Sequence, residues 1–340
     1  MPHAPASRPG EALSRRALLV GGGGAALGLL TSCSWVPGGG SVSGDGSPGS
    51  PPGAGEPPLT PYADLAAELA AAADDFDAMA AHPGVPSATA GWAAAAGRMS
   101  RAQAARLRLA DPLSTPPAAA ASPSAPGSPT PSPTGPAPGP TALLASIAGR
   151  QRGLESRFRD RCLAADAGDL ALLLASLAVT AHAVRAPSVA VSSGGASPHH
   201  VDVGSRDDAL AVLLSRVDAL AQGLEVGLGA LPLHDPSVST GEARLTQVWA
   251  LRDDVEAMLV QASAPPTPGP LVYDLPGRAT SPSAVRALWG RLESDVMAAW
   301  LRVAAASSGE QRGAAVDAAA AQQDRAAALA TPVTWWPGWV

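Results

Sequence analysis

The chain has 340 residues, of which 15% are charged, with 23 Lys and Arg against 29 Asp and Glu and a formal net charge of -6. Every one of those basic residues is arginine, and the sequence contains no lysine and no asparagine. An acidic, charge-poor chain with no arginine-rich patch argues against nucleic acid as a partner and against electrostatic docking on anionic lipid.

The first predicted element is a sorting signal. Arg8, Arg15 and Arg16 precede an apolar run from Ala17 to Leu30, and small residues surround Cys33. The run is shorter than the roughly 20 apolar residues of a membrane-spanning helix, and Gly21 to Gly24 interrupt it at about 1 kcal/mol of helix propensity each. It therefore suits a removable signal over residues 1–33 better than a permanent anchor. Leu30-Thr31-Ser32-Cys33 resembles a bacterial lipobox, which implies a diacylglycerol on the Cys33 sulfur and cleavage before it. Ser14-Arg15-Arg16-Ala17-Leu18-Leu19 resembles a twin-arginine export motif, with Val20 where lysine is common. The competing reading is an ordinary signal with an incidental cysteine. Under the lipobox reading the protein sits at the outer face of a bacterial cytoplasmic membrane. Each buried methylene of the acyl chains then contributes ~0.8 kcal/mol of membrane affinity.

Residues 34–60 are dominated by Gly, Ser and Pro and predict a disordered linker, with a flexible-coil reach of roughly 30 Å. Helical spacing begins after Pro61, with Tyr62, Leu65, Leu69, Phe76 and Met79, and His82-Pro83-Gly84 ends the element. A second helix is expected from Ser87 to Asp111, with arginines in its later half. Residues 112–140 form a proline-rich block that excludes helix and favours extended conformations, either a loop expanded by drift or a rigid spacer open to glycosylation. Helix resumes from Thr141 to Ala167, Gly168 breaks it, and a shorter apolar helix runs to Arg185. These four helices predict an N-terminal bundle over 61–186, followed by a loop at 187–204. That loop holds His199-His200-Val201-Asp202, a weak candidate for a surface metal.

A second bundle is expected over 205–340. Ser205 and Asp208 read as a capping box, and Leu210, Leu213, Leu214, Val217, Leu220, Leu224, Leu228 and Leu231 form a sustained apolar stripe. The next helix, from Thr240 to Gln261, draws on Leu245, Val248, Trp249, Val255, Met258 and Leu259. A third starts at Ser281 with Pro282 just inside it, and Ser308 with Gln311 predicts a capping box for an alanine-rich fourth helix ending near Ala330. The closing TPVTWWPGWV is expected to lie across a bundle face, or else to expose an aromatic patch to a partner.

Tyr273-Asp274-Leu275-Pro276, the run WGRLESDVMAAW and the closing ATPVTWWPG resemble the actinobacterial family DUF4439. The resemblance covers residues 206–340 and implies a ferritin-like four-helix bundle, with no established reaction to carry over. The fold class expected for the whole chain is all-α.

Di-iron proteins of ferritin-like fold use two single glutamates and two Glu-x-x-His pairs on facing helices. Glu225, Glu256 and Glu293 stand one per helix on three helices, but no histidine follows any of them by three residues. Glu256 can pair with Arg252 one turn away, Glu293 lies between Trp289 and Trp300 where an arginine would have to meet it, and Glu225 borders the apolar stripe. Glu155 and His182 can meet across the third and fourth helices. Cys162, left without a disulfide partner once Cys33 is lipidated, reads as a buried inert thiol. No strand-to-helix nucleophile motif or phosphate loop appears. The sequence therefore points to a non-catalytic, lipid-anchored helical protein that binds an envelope protein or a small apolar ligand and carries no cofactor. A ferritin-like metal or redox protein is the alternative, and an envelope spacer a third reading.

Overall fold

Among the described residues the chain forms eight helices: α1 (Ala63–Ala81), α2 (Ser87–Leu107), α3 (Pro140–Ala164), α4 (Asp169–Ala183), α5 (Arg206–Ala230), α6 (Ser237–Gln261), α7 (Pro282–Ala306) and α8 (Gly309–Ala328). The computed structural model describes residues 60–115, 139–262, 264, 269–270 and 272–339. The expected signal with Arg15, Arg16 and Cys33, the linker as far as residue 59, and residues 116–138 of the proline-rich block lie outside them. Among the described residues there is no strand, only an isolated parallel bridge between Val191 and Val333. No described helix is long and apolar enough to cross a membrane.

Local chemistry explains most helix ends. Ser205 and Asp208 form the expected reciprocal box on α5, with Asp208 N–H donating to Ser205 Oγ at 3.1 Å and Ser205 N–H to Asp208 Oδ2 at 3.2 Å. Ser281 Oγ accepts from Ala284 N–H at 3.2 Å, and Pro282 and Pro140 occupy the first positions of α7 and α3, where no intrahelical donor is lost. The box expected at Ser308 does not form. The chain enters α8 through Gly309 at φ 54°, and the Ser308 side chain makes no capping bond. α2 stops at Leu107 rather than Asp111, and α6 begins at Ser237 rather than Thr240.

Pro57–Val340 cluster as one compact unit. α4 is apolar on nearly all sides, so it must be buried on all sides. It packs on α3, α7 and α8, and joins the helices of the first expected bundle to those of the second. One continuous core holds Leu65 of α1, Phe158 of α3, Leu173 of α4, Leu213 of α5, Val255 of α6, Trp300 of α7 and Val316 of α8. Trp249, expected to add to the core, is 43% exposed. It lies one position off the Val248–Val255–Leu259 stripe, and α6 turns that side to solvent.

Two polar devices strengthen this core. Arg312 is fully buried, with no carboxylate partner among the described residues. Its Nε donates to Ala304 O at 3.1 Å and Ser307 O at 2.8 Å, and its Nη1 donates to Cys162 O at 2.7 Å and to Ala165 O. Those carbonyls belong to the C-terminal ends of α7 and α3, where unsatisfied acceptors and the helix dipole concentrate negative charge. Trp289 fills a slot between α5 and α6, and its Nε1 donates to Gly223 O at 2.9 Å. The slot exists because a Cβ on Gly227 would come within 2.4 Å of that ring and one on Gly241 within 2.6 Å. Cys162 is buried as expected, its thiol pushed up to about 11 by burial.

Candidate functional site

Glu225, Glu256 and Glu293 do not share a centre. Glu225 is exposed on α5, and Glu256 Oε1 pairs with Arg252 Nη1 of its own helix at 2.9 Å. Glu293 is 1% exposed, more deeply buried than the sequence suggests. Its carboxylate accepts from Arg244 Nε at 2.7 Å and Nη2 at 3.0 Å, and from Gln322 Nε2. A guanidinium and an amide thus occupy both oxygens where a metal would require free lone pairs. Among the described residues no group of three or more His, Cys, Asp and Glu is arranged to hold a metal ion. The donor set fits an ion pair and does not fit a di-metal centre.

Glu155 and His182 do meet, with Glu155 Oε1 3.0 Å from His182 Nδ1. Asp324 of α8 takes the opposite nitrogen, its Oδ1 lying 3.0 Å from Nε2, and Arg185 Nη1 reaches Glu155 Oε2 at 3.2 Å. The Glu155 hydrogen bond raises the imidazole above its usual range against the effect of burial, and Asp324 adds to the rise. Burial pushes Glu155 up, but the bond and charge of His182, with Arg185 and Arg159, hold it below the usual carboxylate range. The carboxylates lie on opposite edges of the ring, which makes a charged bridge between helices rather than a ligand set. The histidines at 199 and 200 separate in the same way. His200 bridges Asp169 at 2.8 Å and Asp111 at 2.9 Å, whereas His199 packs its ring 5.5 Å from that of Trp339.

Of several concave surfaces among the described residues, one lies at the tryptophan-rich segment. Val333 N–H donates to Ala190 O at 2.8 Å and Ser192 N–H to Val333 O at 2.9 Å, which fastens residues 331–339 to the 187–204 loop. Trp335 Nε1 donates to Ser192 O at 2.9 Å. Buried Gln103 of α2 donates to Trp335 O at 2.9 Å and to Thr180 Oγ1 of α4 at 3.1 Å. Trp336 and Trp339 enter the core, so the segment crosses the helices as expected and does not project from them. Between it and α2 lies a groove of about 410 Å³, lined by Ala105, Arg106, Leu109, Gly195, Trp335 and Trp336 among others. Its size falls within the range that holds small organic ligands.

Among the described residues of the groove wall only Arg106 is charged, and it is 6% exposed. One guanidinium nitrogen, Nη2, donates to Pro198 O, while Nε has no partner among the described residues. Burial holds its affinity for a proton below that of an ordinary arginine, and Asp111 partly offsets this through space. Asp111 itself is engaged by His200 and by Leu113 N–H at 2.9 Å. The sequence gives no sign of this arginine's burial: on α2 it is one arginine among several, and the loop that covers it lies about 90 positions downstream.

Residues 232–340 match DUF4439, a domain of unknown function. The DUF4439 match begins after α5, later than the start at residue 206 expected from the motifs, and takes in α6, α7, α8 and the tryptophan segment. No curated protein and no solved structure matches the chain. Within the DUF4439 region fall Arg244, Glu293 and Gln322, and also Trp335 and Trp336, while Arg106 and the rest of α2 lie outside it. The groove therefore pairs a wall from the matched region with a wall from the preceding helices.

Proposed function

We propose that this protein is a lipid-anchored, extracytoplasmic binding protein that holds a small apolar ligand in the groove between α2 and the 335–336 tryptophan pair. The observation that carries the binding role is the groove itself, about 410 Å³ with two indoles and aliphatic side chains on its walls. The lipobox-like Leu30–Cys33 and the linker after it support anchoring, and the paired Arg15 and Arg16 support twin-arginine export. Ferritin-like descent of α5–α8 belongs to the same proposal. Its support is the family match together with a buried glutamate inside the helices, now engaged by Arg244.

Two measurements test it. A neutral fluorescent probe, N-phenyl-1-naphthylamine, is expected to bind the wild-type protein with one-to-one stoichiometry. Ala105→Trp, at an exposed position on the groove wall, is expected to abolish binding without loss of thermal stability. Undiminished binding to that variant overturns the groove assignment. In an exporting bacterial host, Cys33→Ser is expected to move the protein from the membrane to the soluble fraction, and continued membrane retention overturns the lipid anchor.

A further inference from the structure

The groove wall carries a positive charge that no carboxylate among the described residues meets directly, Asp111 acting on it only through space. Arg106 belongs to the last turn of α2, is more than nine-tenths buried, and has no carboxylate within ion-pairing distance among the described residues. Ion-paired arginines elsewhere in the fold meet Asp or Glu directly, as Arg244 meets Glu293 and Arg252 meets Asp218. Arg312, the other deeply buried arginine, instead meets four backbone carbonyls from two helix ends, although its Nη2 also lacks a partner among the described residues, and it does not line the groove. Arg106 has one carbonyl and a buried Nε without a partner among the described residues, and its side chain forms part of the wall of an open cavity.

A buried cation without a counter-ion is costly, and a buried N–H without an acceptor costs about 1–3 kcal/mol. An apolar molecule can fill the groove but leaves the guanidinium without a counter-charge. An anionic oxygen placed against the guanidinium would supply that charge. Apart from Ser197, the rest of the described wall is apolar or backbone and supplies no second cation, so the charge that fits is a single negative one. A phosphate monoester, carrying close to two charges, would lack a second partner.

We infer that the ligand of this groove is an amphipathic monocarboxylate, its carboxylate against Arg106 and its apolar body between Trp335, Trp336 and the aliphatic face of α2. This rests on the proposed groove and names the chemistry it selects. Arg106 acts as the specificity-determining residue, and the indoles supply contact area that does not depend on charge.

The test compares two probes of nearly equal shape, 2-naphthoate and 2-naphthamide, by calorimetric titration of the full chain. Wild-type protein is expected to bind the carboxylate at least about tenfold more tightly than the amide, as befits a charge-assisted hydrogen bond. Arg106→Met is expected to remove that preference, and Arg106→Lys to recover part of it, because charge survives while the fork is lost. Equal affinity of the wild type for the two probes overturns the role of Arg106 and leaves the groove assignment standing. Failure of both probes to bind, or binding that survives Ala105→Trp, overturns the groove itself. The wild-type comparison decides the question even where Arg106→Met fails to fold.

Discussion

Arg244 on α6 grips the carboxylate of Glu293 on α7 from one side, Nε to Oε1 at 2.7 Å and Nη2 to Oε2 at 3.0 Å, with both side chains largely withdrawn from water. Removing one member leaves the other charged and buried. Glu293→Ala is therefore expected to lower unfolding stability by about 3–5 kcal/mol in urea titrations. Replacing both at once, Glu293→Leu with Arg244→Met, should recover most of that loss, since the pair is worth little beyond its own desolvation. A double variant as unstable as the single one would show that the pair contributes more than mutual neutralisation.

The bridge of His182, Glu155 and Asp324 makes stability depend on pH in two directions. His182 titrates above its ordinary value in the folded chain, so its contribution is complete below the unfolded imidazole range and fades as pH rises through the folded value. Glu155 titrates below its ordinary value, so its contribution is complete above the unfolded carboxylate range and fades as pH falls through the folded one. The difference in melting temperature between wild type and His182→Gln should thus be largest in mildly acidic buffer, below about pH 6.5. It should shrink toward alkaline pH, and a difference that grows with pH would contradict the assigned bridge.

Two glycines two positions apart on α5 should respond oppositely to alanine. Gly227→Ala drives a methyl group into the Trp289 ring and is expected to cost about 1–3 kcal/mol. Gly229 has no atom within 4 Å of where its Cβ would stand, so Gly229→Ala should gain up to about 1 kcal/mol from helix propensity. Chemical denaturation of both variants checks the slot.

The tryptophans of the groove wall should divide into packing and binding roles. Trp336 is 5% exposed within the core, and Trp336→Ala is expected to cost about 3–5 kcal/mol in denaturant titrations. Trp335 is only partly buried and holds Ser192 O through one indole N–H, so Trp335→Ala should cost less but abolish N-phenyl-1-naphthylamine binding.

What the sequence shows in advance follows the range of the interaction. Helices announced by apolar spacing and breakers stand where expected, and so do pairs set by one helical turn, such as Arg252 with Glu256. Glu155 and His182 were accessible too, because α3 and α4 are joined by a short turn. Trp249 misleads because hydrophobicity gives the helix stripe but not which flank its neighbours cover. The burial of Arg106 and Arg312 is invisible, because partners of arginine that are backbone carbonyls leave no mark in residue type. The Trp289 slot is equally silent, since Gly227 and Gly241 read as neutral or unfavourable helix residues until the ring is seen between them.

The tie between Gln103 and Trp335 spans 232 positions, and Val333 completes the cluster around Phe76, Trp92 and Met99 of α1 and α2. A ribosome would release α1 and α2 long before the residues that close over them exist. Such distant contacts slow folding, because a large loop must close before they form. A nascent chain interrupted before residue 333 would lack the last member of this cluster, leaving its aromatic side chains less well covered and more open to chaperones or aggregation.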